Sequence, residues 1–228
     1  MDSAEVGKYI ESVAVRIGFH DGGSLAGTGV LYTLQTQNRA VVLTAGHVLQ
    51  RALAKSHSCQ AVLSVWSESG AKDIFLELAD SSNDKAANIH YCPGFMIDSG
   101  KYIFDAAIIE VPWSDWMQDI PEIHFGEAKI SAQVKLMGFP KSTDSEATPT
   151  DWTRGRMSLS AEIPTSADND KEKAFKFSYT SPNSYPIERD DLMSGYSGSG
   201  LFLCDAARPK LIGLVSQSYG SDNVGNVA

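Results

Sequence analysis

An all-β fold is predicted by three observations. Short apolar runs rich in Val, Ile, Leu and aromatics recur along the chain, and polar or glycine-rich turns separate them. Helical stretches of about 10 or more residues, which a doubly wound α/β sheet needs between its strands, are missing. Many short strands with frequent turns make a sandwich or barrels.

The elements follow in order. VAVRIGF at 13–19, GVLYTL at 29–34 and RAVVLT at 39–44 are the first strands, separated by HDGGSLAGTG and QTQN. GHVLQRALAK at 46–55 places Val48, Leu49, Ala52 and Leu53 at helical spacing and predicts a short helical turn. Strands resume with QAVLSVW at 60–66, IFLEL at 74–78 and YIFDAAIIEV at 102–111. The next segment, beginning PWSDWMQDIPEIHFGE, has two prolines, several acids and no clean period, so it reads as a connector. Beyond it come QVKLMGF at 133–139, RMSLSAEI at 156–163, AFKFSY at 174–179, GLFLC at 200–204 and LIGLVS at 211–216. The closing VGNVA reads as the start of a further strand. KSTDSEATPTD and PTSADNDKEK between strands are loop-like. The expected division is 1–112, a connector at 113–130, and 131–228.

A length of 228 residues is enough to bury a sizeable core, as one large domain or two small ones sharing an interface. The formal charge of −9, with no cluster of Lys and Arg, speaks against a nucleic-acid partner. No stretch reaches the roughly 20 apolar residues of a membrane span, and the acidic N-terminus is unlike a secretory signal. Three cysteines, Cys59, Cys92 and Cys204, do not make a disulfide framework. A reducing, cytoplasmic setting is therefore expected.

Three local patterns carry chemistry. In LTAGHVL, an apolar strand ends in small residues and delivers His47, leaving room beside the imidazole. In YIFDAAIIEV, Asp105 heads an apolar strand, where a carboxylate needs a partner because an unpaired buried charge is costly. In MSGYSGSGLF, Ser197 lies in a glycine-rich turn before an apolar strand, and such a turn can aim consecutive N–H groups at one point. Each pattern alone has a plain structural reading: a buried histidine, a surface aspartate at a strand edge, a flexible turn. Together they supply a base, an orienter and a nucleophile. The order His47, Asp105, Ser197 is neither that of α/β-hydrolases nor that of subtilisins. A Gly-x-Ser-x-Gly elbow also fails, because Ser199 stands where the second glycine is required.

These motifs resemble those of the trypsin/chymotrypsin family of serine proteases. LTAGHVL resembles its TA[AG]H motif, FDAAIIEV its D[IL]A[LV] strand and GYSGSGLF its GDSGGPL. GTGVLY at 27–32 is similar to the strand before the histidine, and LIGLVSQ to the strand lining the cleft. Gly138, Phe139 and Pro140 are similar to a turn of the intracellular and viral-type members. The resemblance runs from about Val13 to Ser218. It implies two six-stranded antiparallel β-barrels with the active site in the cleft between them. His47 and Asp105 would come from the first barrel, Ser197 from the second. It implies a serine endopeptidase with His47, Asp105 and Ser197 as triad and the N–H groups of Gly195 and Ser197 as oxyanion hole, needing no metal or organic cofactor.

The resemblance also places a specificity pocket. Asp191, six positions before Ser197, would sit at its base and favour Arg or Lys in a protein or peptide substrate. Ser216 and Ser218 would form small walls. Tyr196 stands where many secreted members have the aspartate of their zymogen switch, so control by a regulatory domain or partner protein is expected instead. Two His-x-Cys pairs, His57 with Cys59 and His90 with Cys92, offer four zinc ligands on strands. Their spacing matches no common finger, and buried free cysteines are the simpler reading. The rivals to the endopeptidase are an inactive or conditionally active interaction module on the same fold and an esterase using the same triad.

Overall fold

The structure is a computed structural model that describes residues 1–19, 25–54, 58–67, 70–80, 87–98, 101–128, 132–139, 157–162, 175–180, 195–204, 208–219 and 224–227. Strands dominate, in two seven-stranded sheets and a separate hairpin.

The chain opens on helix α1 (Ser3–Val13), which the strand-based reading does not anticipate. Its start is locally encoded. The Asp2 carboxylate accepts from the Ala4 and Glu5 N–H groups, and the Glu5 side chain accepts from the Asp2 N–H, a reciprocal capping box. Val6, Tyr9, Ile10 and Val13 form its buried stripe.

The first sheet uses β1 (Ala14–Phe19), β2 (Leu25–Leu34), β3 (Arg39–Thr44), β4 (Ser58–Ser67), β5 (Gly70–Ala79), β6 (Ile89–Tyr91) and β9 (Ala107–Val111), in the order β5-β4-β1-β2-β3-β9-β6. Residues alternate between core and solvent: in β9, Ala107, Ile109 and Val111 point in while Ile108 and Glu110 point out. Helix α2 (Gly46–Leu53) follows β3 where helical spacing predicts it. The sheet curls, and Asn88 draws its ends together. The Asn88 N–H donates to the Ala79 carbonyl, and its side chain accepts from the Ala79 N–H and donates to the Glu77 carbonyl. On the other side, the Asn88 carbonyl accepts from the Glu110 N–H. One residue thus stitches β5 to β9.

The second sheet uses β10 (His124–Phe125), β11 (Gln133–Gly138), β12 (Met157–Glu162), β13 (Phe175–Thr180), β14 (Gly200–Leu203), β15 (Lys210–Tyr219) and β16 (Val224–Val227). Pairing of β15 with β16 closes β15-β14-β11-β12-β13-β16 into a ring of six, and β10 adds a seventh strand parallel to β15. The expected six-stranded antiparallel barrel is this ring. The parallel β10 lies outside it, in the stretch read as a connector, together with a 3-10 turn at Asp115–Asp119.

One predicted strand is two. YIFDAAIIEV breaks into β8 (Lys101–Ile103), which pairs with β7 (Met96–Asp98), and β9. The break is at Phe104, whose φ of 47° lies in the left-handed region. The Ala106 N–H closes the kink onto the Phe104 carbonyl at 2.8 Å. Asp105 lies inside this kink, between Phe104 and Ala106.

Helix α1 lies across both sheets. Tyr9 meets Phe202 of β14 edge-on at 6.2 Å, and its hydroxyl donates to the Glu122 carbonyl. Lys135 of β11 donates to the Ser3 carbonyl. Gln35, after β2, donates to the carbonyls of Gln118 and Ile120 in the linking segment.

Candidate active site

His47 is the second residue of α2, directly after the small residues Ala45 and Gly46, and is 3% exposed. Gly46 leaves room for the Phe95 ring, which a Cβ there would meet at 2.9 Å and have to displace. Phe95 is itself stacked on Tyr91, with ring centroids 5.1 Å apart.

Asp105 is 1% exposed and engaged at both oxygens. Its Oδ1 accepts from the His47 backbone N–H at 2.8 Å. Its Oδ2 lies 2.6 Å from His47 Nδ1 and accepts from the Ser216 hydroxyl at 2.5 Å. Burial pushes this carboxyl up. The His47 ring, by hydrogen bond and by charge, the Ser216 hydroxyl and the His47 N–H together outweigh burial and hold the carboxyl below the usual range. An ionised Asp105 that accepts at Oδ2 puts the ring proton on Nδ1 and leaves the lone pair of a neutral imidazole on Nε2.

Ser197 sits in a turn built on two glycines with positive φ, Gly195 at 91° and Gly198 at 87°. The Tyr196 carbonyl accepts from the Ser199 N–H, and the Gly198 N–H donates to the Val215 carbonyl at 2.7 Å. Because the carbonyl and N–H of one peptide point opposite ways, pinning the Tyr196 carbonyl orients the Ser197 N–H away from the Ser199 side of the turn. Tyr196 is fully buried, its ring packed where any side chain on Gly138 would stand.

The turn docks on the end of the His47 strand. The Thr28 N–H of β2 donates to the Ser197 carbonyl at 2.8 Å. A Cβ on Gly27 would lie 2.8 Å from that carbonyl and 2.8 Å from the Val48 side chain, so Ser197 and α2 flank the same glycine. A Cβ on Gly198 would overlap the Thr28 carbonyl and the Thr44 hydroxyl and come within 2.9 Å of the Ala45 nitrogen. His47, Asp105 and the Ser197 turn are thus gathered where the two sheets meet.

The other sequence-predicted site residues fall less together. Gly195 stands in the turn. Ser216 lies on β15, but its hydroxyl is turned to Asp105. Ser218 is on the same strand, paired through its backbone with Gly225. Asp191 and His57 lie outside the described residues. His90 Nε2 is 3.2 Å from Glu110 Oε1, and Cys59, Cys92 and Cys204 are half-buried and not disulfide-bonded. Among the described residues, no group of three or more His, Cys, Asp or Glu could hold a metal ion, and no helix is long and apolar enough to cross a membrane. Sequence reasoning missed the hydroxyls of Thr28 and Thr44. The available signal was a threonine between two glycines in a strand and another closing an apolar strand.

No family model and no curated protein sequence matches the chain. Solved structures do. Mouse neuropsin, described as a serine protease expressed in the limbic system of the brain, matches with a TM-score of 0.61 and 15% identity over 96% of this chain and 89% of that one. A Glu endopeptidase matches with a TM-score of 0.60 and 16% identity over 100% of this chain and 87% of that one. A mutant of human heparin binding protein matches with a TM-score of 0.60 and 11% identity over 95% and 86%. The chain has the two-barrel fold of the trypsin/chymotrypsin-type serine proteases.

Proposed function

We propose that this chain is a serine endopeptidase acting through an acyl-enzyme on Ser197. The observation that carries the reading is the buried pair of Asp105 and His47, 2.6 Å apart, beside the docked Ser197 turn. In the reaction, His47 Nε2 takes the Ser197 proton as Oγ bonds to the substrate carbonyl carbon. Asp105 holds the Nδ1 proton and stabilises the imidazolium. The N–H groups of Gly195 and Ser197 receive the oxyanion. His47 then gives its proton to the leaving amine as the C–N bond breaks, and water, activated by the same ring, releases the acyl group.

The halves 1–112 and 131–228, joined by 113–130, would each supply part of this machinery. Preference for Arg or Lys rests on the position of Asp191 alone, and a peptide library in which neither is favoured would remove it. Three cysteines outside any disulfide suit a reducing compartment such as the cytoplasm. Control by a further domain or partner suits a chain with Tyr196 in place of a zymogen-switch aspartate. Full, constant activity of the isolated chain on many proteins counts against that control.

A fluorophosphonate probe tests the central reading. Wild type is expected to label, and Ser197→Ala is not. Labelling that survives the substitution removes Ser197 as nucleophile. No labelling of wild type, with no cleavage of casein, overturns the enzyme in favour of a binding module.

A further inference from the structure

We propose that the Thr28 hydroxyl is a positioning group for the oxyanion-binding turn; the inference rests on the reading of Ser197 as nucleophile. Thr28 is fully buried in β2. Its Oγ1 donates to the Gly195 carbonyl at 2.7 Å and accepts from the Phe139 N–H at 3.2 Å. One hydroxyl therefore joins three segments distant in sequence: a strand of the first sheet, the residue after β11, and the turn that carries Ser197. The backbone of the same residue holds the next link, because the Thr28 N–H donates to the Ser197 carbonyl. Thr28 itself is fixed by the Thr44 hydroxyl, which donates to the Thr28 carbonyl at 2.7 Å.

The consequence concerns Gly195. A glycine at a φ of 91° has no Cβ to restrict it, and its two flanking peptides rotate at little cost. Its N–H is useful only in one orientation, since an oxyanion donor acts when aimed beforehand at the point where charge develops. Fixing the Gly195 carbonyl removes one of the two rotations that could turn the residue. The hydroxyl touches no substrate atom and acts through Gly195. The methyl of the threonine is not part of this function, so serine at position 28 suffices and valine does not.

The test uses the full chain and a fluorophosphonate probe, whose tetrahedral phosphonyl oxygen takes the oxyanion position. The maximal inactivation rate kinact and the half-saturating concentration KI are measured for wild type, Thr28→Ser and Thr28→Val, alongside thermal unfolding. Thr28→Val is expected to lower kinact by about 10- to 100-fold, below the 100- to 1,000-fold typical of removing a donor outright, with KI changed by less than about threefold. Thr28→Ser is expected to stay within about threefold in both. A Thr28→Val protein that is folded and labels within threefold of wild type overturns the proposal, as does a loss of equal size in Thr28→Ser. If Thr28→Val does not fold, Thr28→Cys, with a weaker donor of similar size, carries the comparison: kinact is expected below that of Thr28→Ser, and equality overturns the proposal. Absence of Ser197-dependent labelling in wild type is a different result, which overturns the endopeptidase reading and this inference with it.

Discussion

Asp105 is a buried carboxylate whose charge is kept by three donors, two of them on His47. Its carboxyl is depressed in the folded chain relative to an unfolded value of about 3.9. A depressed acid stabilises the fold at pH above the unfolded value, and that contribution is lost as pH falls through the folded one. The unfolding free energy of wild type minus that of Asp105→Asn, measured in urea, is therefore expected to decrease as pH drops below about 4. A difference that grows on acidification contradicts this. Gly198 makes a second case. Its φ is unfavourable for any other residue, and a Cβ has no room against Thr28 and Thr44. Gly198→Ala is expected to cost about 3 kcal/mol or more, whereas Gly70→Ala, at a φ of 106° with nothing within 4 Å, costs about 1 kcal/mol. Chemical denaturation of the two variants separates clash from backbone strain. At this scale the sequence was legible where a side chain's chemistry is unusual for its setting, as with His47 and Asp105, which pair at 2.6 Å. Thr28, Thr44 and Ser216 were not legible as partners. A hydroxyl in a strand is ordinary, and its partner lies as many as 167 residues away.

Elements were legible where the signal is local. RAVVLT and GHVLQRAL fold as the strand and helix that their spacing predicts. Helix α1 was equally encoded, by Asp2 with Glu5 and by the stripe at Val6, Tyr9, Ile10 and Val13, but that signal has to be sought at the acidic N-terminus. The kink at Phe104 was not legible, because no glycine or proline marks it. Closure of the first barrel was hidden too, since a single residue, Asn88, makes it with its side chain and backbone together rather than through a paired strand. Asn88→Ala leaves the Ala79 N–H and the Glu77 carbonyl without these partners, a loss of about 1–3 kcal/mol. Faster hydrogen exchange at the Ala79 amide is the direct measurement, and unchanged exchange would contradict Asn88 as the closing residue.

Among the described residues two seven-stranded sheets dominate, and the candidate site lies where they meet. Asp105 precedes β9 of the first sheet, and the Ser216 hydroxyl that reaches it comes from the second. Thr28 of the first holds the Gly195 and Ser197 carbonyls. On α1, Tyr9 touches β14 and donates to Glu122. Tyr9→Phe keeps the ring contact and loses the hydrogen bond, which is expected to lower unfolding free energy by about 1 kcal/mol. In a urea series, labelling by the fluorophosphonate is expected to vanish at or below the concentration at which far-UV circular dichroism is half lost. Labelling that persists beyond that midpoint would show that the site survives separation of the sheets.

The Asp105 carboxylate, hydrogen-bonded from both sheets, works as a two-key lock. Neither half holds a complete set of keys, so a half-chain on its own, released by cleavage or emerging first during synthesis, leaves this carboxylate short of a donor. The full set of donors assembles only when the second half closes on the first, so the state of this one carboxylate reports whether the two halves have met.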